Sequence, residues 1–419
     1  MFSALNFRVA LYLAYRQIKR SSLWTTGLIV FVMLLTFLNL VVVTGVLVGL
    51  IEGINESYRS QFIGDVIISP LDTKTSVEHS PEVLTFLHSL PQVSAVSARY
   101  LQGGTVESNY KTRVNNQIKA ESSGVQVYGI NPEAEDALTH MSARIIEGSY
   151  LGSQDYDQVL IGSELLSKYS FGGSQPGITP LKDVGPGSVV RLTVGGVTRE
   201  VSIKGVLKSK IGELALGVYM VDTQLSTLLQ DTSYNVSQIA IRLQPGTNPD
   251  QFQSLLTRSG VGDNGKVQTF TQSIPQGVAD IKNTFAMLGN VISSIGLVVA
   301  SITIFIVIFI NAFTRRKFIG ILKGIGINGA AIEISYMLQA FLYALIGSSV
   351  GLLFLYGFLV PFFSAHPIDF PFSDGILVAP LYDTMVRVGL LALATVVAGY
   401  IPARMIVKKN TLDSILGRN

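Results

Sequence analysis

The sequence predicts an α-helical membrane protein with four transmembrane helices and a large mixed α+β extracytoplasmic domain inserted between helices 1 and 2. Three observations carry this reading. Of 419 residues, 48% are hydrophobic and only 14% charged, too apolar for an ordinary soluble chain. Residues 23–51, 284–313 and 334–360 hold no charge, and 384–407 hold little; each run is long enough to cross a hydrocarbon core of roughly 30 Å. Between the first two runs, residues 64–280 change character, alternating short β-like stretches with turn dipeptides and dispersed charge, the pattern of a water-soluble domain.

The elements follow in chain order. Residues 1–22 carry Arg8, Arg16, Lys19 and Arg20 without an acidic group, and Leu5, Val9, Tyr12 and Leu13 share a helical face. This predicts a cytoplasmic amphipathic helix lying in the interface. The run from residue 23 exceeds a signal-peptide core and ends in no small-residue cleavage site, so it is expected to be retained as the first span, with an outer extension to residue 62. In the inserted domain, 63–280, strands are expected at 65–69, 93–100, 124–130, 158–161, 188–194, 197–207, 218–221 and 238–243, and helices at 81–89, 132–141, 163–169, 223–230 and 249–259. Gly195-Gly196 falls between two alternating runs, and consecutive glycines supply the positive φ values of a tight hairpin. The Gly- and Pro-rich stretch 172–187 reads as a mobile loop. Further spans are expected at 281–313, 332–360 and 384–407, joined by a basic loop at 314–331 and an outer loop at 361–383 and followed by a tail at 408–419.

Basic residues crowd the amino terminus, the loop between spans two and three, and the carboxyl terminus, which four spans place on one side. The positive-inside rule then puts both termini in the cytoplasm of a bacterial plasma or inner membrane and the inserted domain outside. These clusters orient a membrane protein and give no nucleic-acid patch.

Enzyme chemistry is not expected of this chain. It has no cysteine, which removes disulfides, thiolates and Cys-based zinc sites. Its four histidines never form His-Glu-x-x-His, and Gly347-Ser348-Ser349-Val350-Gly351 lies inside a span, away from any strand-to-helix turn. The nearest approach to a phosphate loop, Gly260 to Val267, has Val267 where a Ser or Thr would hold magnesium. No catalytic, cofactor or metal site is therefore proposed, and the carboxylates of the inserted domain read as a solvated surface.

The segment Arg315-Arg316-Lys317-Phe318-Ile319-Gly320-Ile321-Leu322-Lys323-Gly324-Ile325-Gly326 stands out. Phe318, Ile321, Leu322 and Ile325 recur at helical spacing among flanking cations, which fits a short amphipathic helix held against another protein or lipid headgroups. Together with Tyr400-Ile401-Pro402-Ala403-Arg404 and the overall order of elements, it resembles ATP-binding-cassette (ABC) transporter permeases of the MacB/FtsX superfamily. Tyr128 to Pro132 and Ile146-Glu147-Gly148 are similar to that family's periplasmic core domain. The layout resembles the lipoprotein-releasing (LolC/LolE-type) and MacB permeases more than the smaller-insert FtsX branch, and Phe318 stands where members often carry Glu.

The resemblance implies mechanotransmission. A separate cytoplasmic ABC ATPase, holding ATP and Mg, moves the spans, and the outer domain changes shape to export or extract a lipoprotein, peptide, lipid or drug. Arg315 through Ile325 and Gly326 are then the ATPase-coupling segment, and Pro402, Arg404, Lys408 and Lys409 a second cytoplasmic contact. A second permease copy or paralogue, a periplasmic adaptor or chaperone, and membrane lipids are the other expected partners. Gly45, Gly49 and Gly53 recur every fourth residue on span one, as does Gly347 with Gly351 on span three, so another helix can approach closely, within one subunit or across a dimer. Two other readings stay open: an FtsX-like regulator of an extracytoplasmic enzyme, and a non-transporting membrane scaffold.

Overall fold

A computed structural model describes residues 4–20, 23–111, 121–170, 178–370, 373–375 and 377–408. The chain divides into two compact units, one built on Glu52–Ala279 and the other containing the segments before and after it. Among the described residues, four helices are long and apolar enough to cross a membrane: Thr26–Ile63, Gln276–Thr314, Gly329–Ala365 and Leu381–Val407.

The inserted domain is a mixed α/β unit organised on one large sheet. Its strands are β1 (Val66–Ser69), β2 (Val93–Glu107), β3 (Ser122–Ile130), β4 (Ile145–Gly148), β5 (Gln158–Gly162), β6 (Val189–Val194), β7 (Val197–Leu207), β8 (Gly217–Val221), β9 (Gln238–Leu243) and β10 (Lys266–Thr269). They run in the order β10-β1-β9-β2-β3-β8-β5-β7-β4, with β6 joined to β2 and β7. Pairing is antiparallel except for β3 with β8 and β5 with β7. The β6–β7 hairpin closes at Val194 and Val197, and Gly195 and Gly196 take φ of 56° and 80° there, the left-handed backbone such a turn needs.

Two helices begin on the same local device. Asn131 accepts from the Ala134 N–H at 3.0 Å, and Asn248 from the N–H groups of Asp250 and Gln251 at 2.9 and 3.2 Å. Each Asn precedes a Pro that starts its helix, Pro132–Thr139 or Pro249–Arg258, pairing an orphan-donor cap with a φ already set for helix. Their apolar sides, together with that of Asp222–Leu229, cover the sheet. Phe252 and Leu256 pack with Ile68 and Ile241, and Leu225 with Ile161, Leu192 and Val218.

Several local expectations need correction. Residues 163–169 form only a short 3-10 turn, Ser163–Leu165. The backbone then bonds across the chain, Ser167 N to Leu181 O at 2.9 Å and Leu181 N to Leu165 O at 2.8 Å, so ladder bonds replace helix bonds. Leu181 is buried, which fixes the carboxyl-terminal half of the stretch read as a mobile loop; residues 171–177 lie outside the described residues. Strands β4 and β10 went unread: they take their place from the strands they pair with, β7 and β1. The carboxylates are not all surface groups: Glu135 and Arg99 are each 1% exposed. Arg99 Nε and Nη2 donate to Glu135 at 2.8 and 2.7 Å, and Ser97 Oγ donates to it at 2.6 Å.

The compact unit begins at Glu52, inside what the sequence assigns to the extension of span one. Tyr58 and Ile63 pack with Tyr128, Ile130 and Tyr219, and Tyr58 donates to Glu213 at 2.7 Å. An excised Glu52–Ala279 fragment is therefore expected to unfold cooperatively on heating, whereas one starting at Gly64 melts lower because it loses Tyr58 and Ile63. Circular dichroism melts of the two fragments check this.

In the membrane unit, small residues set the helix contacts. A Cβ on Gly347 would stand 2.4 Å from Met33 Cβ, and one on Gly351 2.2 Å from Phe37 Cδ1, so spans one and three touch at these glycines, as small-residue packing in lipid favours. Gly45 faces its own chain as well, where a Cβ would meet Leu377 and the Val378 carbonyl at 2.8 Å; Gly49 is buried and Gly53 half-buried. Gly347→Leu is expected to overpack this contact by about 1–3 kcal/mol or more. Its thermal midpoint in mild detergent should fall, while Gly389→Leu, which has open space around its Cα, should leave it in place.

Candidate functional site

The basic segment between spans two and three forms its own helix. The long helix Gln276–Thr314 ends, Arg315 leaves helical geometry at φ −98° and ψ 14°, and Arg316–Gly324 follows as a separate helix. Its exit is fixed by Gly326 at φ 95°, a backbone only glycine takes without strain. Asn328 then caps the next span by accepting from the Ala330 N–H at 3.0 Å.

This short helix has two apolar sides, and the structure separates them. Ile319 and Leu322 are buried among Ile332, Tyr336, Ala403, Ile406 and Val407. Phe318, Ile321 and Ile325 point outward, 49%, 51% and 71% exposed. The expectation that Leu322 belongs to the outward face is therefore corrected: it anchors the helix to its own chain. Gly320 is buried beside Ile319, and Gly324 has open space around it. The cations differ too. Arg316 lies over the Phe313 ring at 4.8 Å, and Lys317 is exposed. Lys323 Nζ donates to the Val407 carbonyl at 2.9 Å, at the last turn of the fourth span, where a cation meets the negative end of the helix dipole.

The second sequence motif comes to the same place. Pro402 and Ala403 are buried while Arg404 and Lys408 are exposed. Arg404 Nη1 donates to the Tyr400 hydroxyl at 2.8 Å, with its guanidinium 5.5 Å from that ring. Lys409 lies outside the described residues. A Cβ on Gly399 would meet Ala340 Cβ at 2.9 Å, and one on Gly329 would meet Val407 Cγ1 at 3.1 Å, so spans three and four bind closely around the short helix. The two motifs, far apart in sequence, pack into one block through Ile319, Leu322, Lys323, Ala403, Ile406 and Val407.

Sequence reasoning missed one neighbour. The helix Ala4–Lys19 lies alongside, and Leu13, Arg16, Gln17 and Arg20 line a cleft of about 270 Å³ with Arg315 and Phe318. No local signal announces it, because the contact joins segments some three hundred residues apart.

The family model described as FtsX-like permease C-terminal matches residues 290–411, which include both motifs, and the one described as MacB-like periplasmic core domain matches residues 31–259. The macrolide export ATP-binding/permease protein MacB 1 of Yersinia pestis bv. Antiqua (strain Antiqua) is 26% identical over 235 residues, covering 55% of this chain and 34% of that protein. The MacB of Campylobacter fetus subsp. fetus is 26% identical over 189 residues, 43% of this chain and 28% of that one. The chain thus spans about a third of the length of the curated relatives it matches. The crystal structure of the periplasmic region of MacB from Actinobacillus actinomycetemcomitans aligns with a TM-score of 0.35 and 16% identity, over 52% of this chain and 94% of that one. With one model matching more than half of the sequence and the other its last three spans, the chain belongs to the MacB/FtsX superfamily of ABC-transporter permeases.

Proposed function

We propose that this multi-pass membrane protein is the permease subunit of an ABC transporter whose ATP is hydrolysed by a separate cytoplasmic subunit, and that the short helix Arg316–Gly324 transmits the motion. One observation carries this reading. The helix is fastened to spans three and four by Ile319, Leu322 and Lys323 while presenting Ile321 and Ile325 outward. A force on the outward face reaches the spans without being lost in a flexible loop. Arg404 and Lys408, exposed on the same block, supply a second contact. ATP and Mg belong to the partner, with the phosphate-loop departure at Val267 as support, and no catalytic group is assigned to this chain.

The inserted domain lies outside the cytoplasm in this reading, because the basic segments share the other side. Its change of shape drives export or membrane extraction of a lipoprotein, peptide, lipid or drug, working with a second permease copy or paralogue and a periplasmic adaptor. The relatives are named as macrolide export proteins, which supports export among these readings.

Purification of the full chain in mild detergent tests the reading: an ATP-binding subunit should copurify and hydrolyse ATP faster with the permease than without it. Topology is checked separately in this cysteine-free chain. Cysteine at Thr198 should label in cells with a permeable outer barrier, and cysteine at Lys317 only after the inner membrane is opened. The reverse pattern contradicts the orientation.

A further inference from the structure

The cleft between the amino-terminal helix and the basic loop brings Arg315 and Phe318, from the edge of the expected coupling segment, together with side chains of the amino-terminal helix that coupling does not use. Three guanidinium groups, of Arg16, Arg20 and Arg315, line it with Leu13 and Phe318. Arg16 is steadied by its own helix, Nη1 donating to the Tyr12 hydroxyl at 2.8 Å. Among the described residues, no carboxylate pairs with any of the three. Gln17 lines the same cleft at 6% exposure, and its carboxamide oxygen is buried with no hydrogen-bond donor. An unpaired buried acceptor costs free energy unless a ligand donor reaches it.

We infer that the cleft binds the headgroup of an anionic phospholipid with a hydroxylated headgroup, the chemistry of phosphatidylglycerol. The phosphate oxygens accept from Arg16, Arg20 and Arg315, a glycerol hydroxyl donates to the Gln17 oxygen, and the acyl end follows Leu13 and Phe318. Guanidinium forks match phosphate geometry, and basic pockets beside membrane helices recognise such headgroups. The level is right for a lipid. Leu23 and Trp24, which begin the first span just beyond Arg20, are 88% and 90% exposed, and Trp favours the depth where headgroups meet acyl chains. The bound lipid joins the amino-terminal helix to the basic loop and so ties the block to one leaflet.

Native mass spectrometry of the full chain, titrated with phosphatidylglycerol and with phosphatidylcholine, tests this. The wild type should retain phosphatidylglycerol preferentially, and inorganic phosphate at millimolar concentration should not displace it. Arg20→Gln with Arg315→Gln should weaken retention by on the order of tenfold or more. Arg8→Gln, an exposed arginine on the same helix that does not line the cleft, should leave retention unchanged, which separates a built site from general charge. The inference is overturned if the double variant keeps the preference, if Arg8→Gln loses as much, or if free phosphate displaces the lipid. It is also overturned if the wild type holds no lipid there and an ATP-binding subunit covers the cleft instead.

Discussion

Ile321→Asp with Ile325→Asp should abolish copurification of the ATP-binding subunit and the stimulation of its ATP hydrolysis, while the permease still inserts and melts normally. Fully burying an isoleucine contributes about 1.5–3 kcal/mol. These two start half to mostly exposed, so docking gains roughly 1–2 kcal/mol from each, and each aspartate adds the cost of a buried charge. Since about 1.4 kcal/mol is a tenfold change in affinity, the pair should weaken association by on the order of a hundredfold or more. Arg404→Ala should do much less, because an exposed ion pair contributes about 0–1 kcal/mol. Leu322→Asp gives the contrasting result: a charge forced among Tyr336, Ala403 and Val407 should lower the yield and melting temperature of the permease itself. The internal comparison of Ile321 with Leu322, one position apart, separates a docking face from a packing face.

The second large effect is in the inserted domain. Arg99→Ala or Glu135→Ala should each destabilise it by about 3–5 kcal/mol, because removing one partner leaves a buried charge unpaired. For a domain of this size that corresponds to a fall in melting temperature of roughly 10 °C, read on the Glu52–Ala279 fragment. Arg99→Leu with Glu135→Leu should recover much of the loss, since an apolar pair needs no desolvation compensation. The Arg99 guanidinium also stands 5.0 Å from the Phe62 ring. Phe62→Ala should therefore lower the melting temperature by less than either charge deletion. Single variants costing under about 1 kcal/mol would mean the pair is solvated in the native state.

What the sequence disclosed and what it withheld divide along one physical line, the range of the interaction. Spans, the Gly195-Gly196 hairpin and the helices starting at Pro132 and Pro249 were legible because charge-free length, positive φ and a proline that starts a helix are properties of neighbouring residues. The placement of Leu322 was not legible. A nine-residue helix with Ile319 and Leu322 on one side and Phe318 and Ile321 on the other offers two apolar faces, and only the fourth span decides which one is covered. Glu135, on the helix Pro132–Thr139, looked like a surface carboxylate because its partner Arg99 comes from strand β2, well before it in the chain, and 163–169 looked helical because Leu181, which takes its backbone bonds, lies beyond an intervening stretch. The cleft of Arg16, Arg20 and Arg315 combines the amino-terminal helix with the turn between the second span and the short helix, a juxtaposition no local pattern encodes.

Site-specific photocrosslinking tests the central claim most directly. A photoreactive side chain at Ile325 in the full-length protein, irradiated in membranes, should capture an ATP-binding subunit, and one at Leu353, which is 76% exposed on the third span, should capture lipid only. Capture at Ile325 should change with the nucleotide bound. Crosslinking at Ile325 to lipid alone, with the ATP-binding subunit present and active in the same membranes, would contradict the assignment of Arg316–Gly324 as the coupling helix.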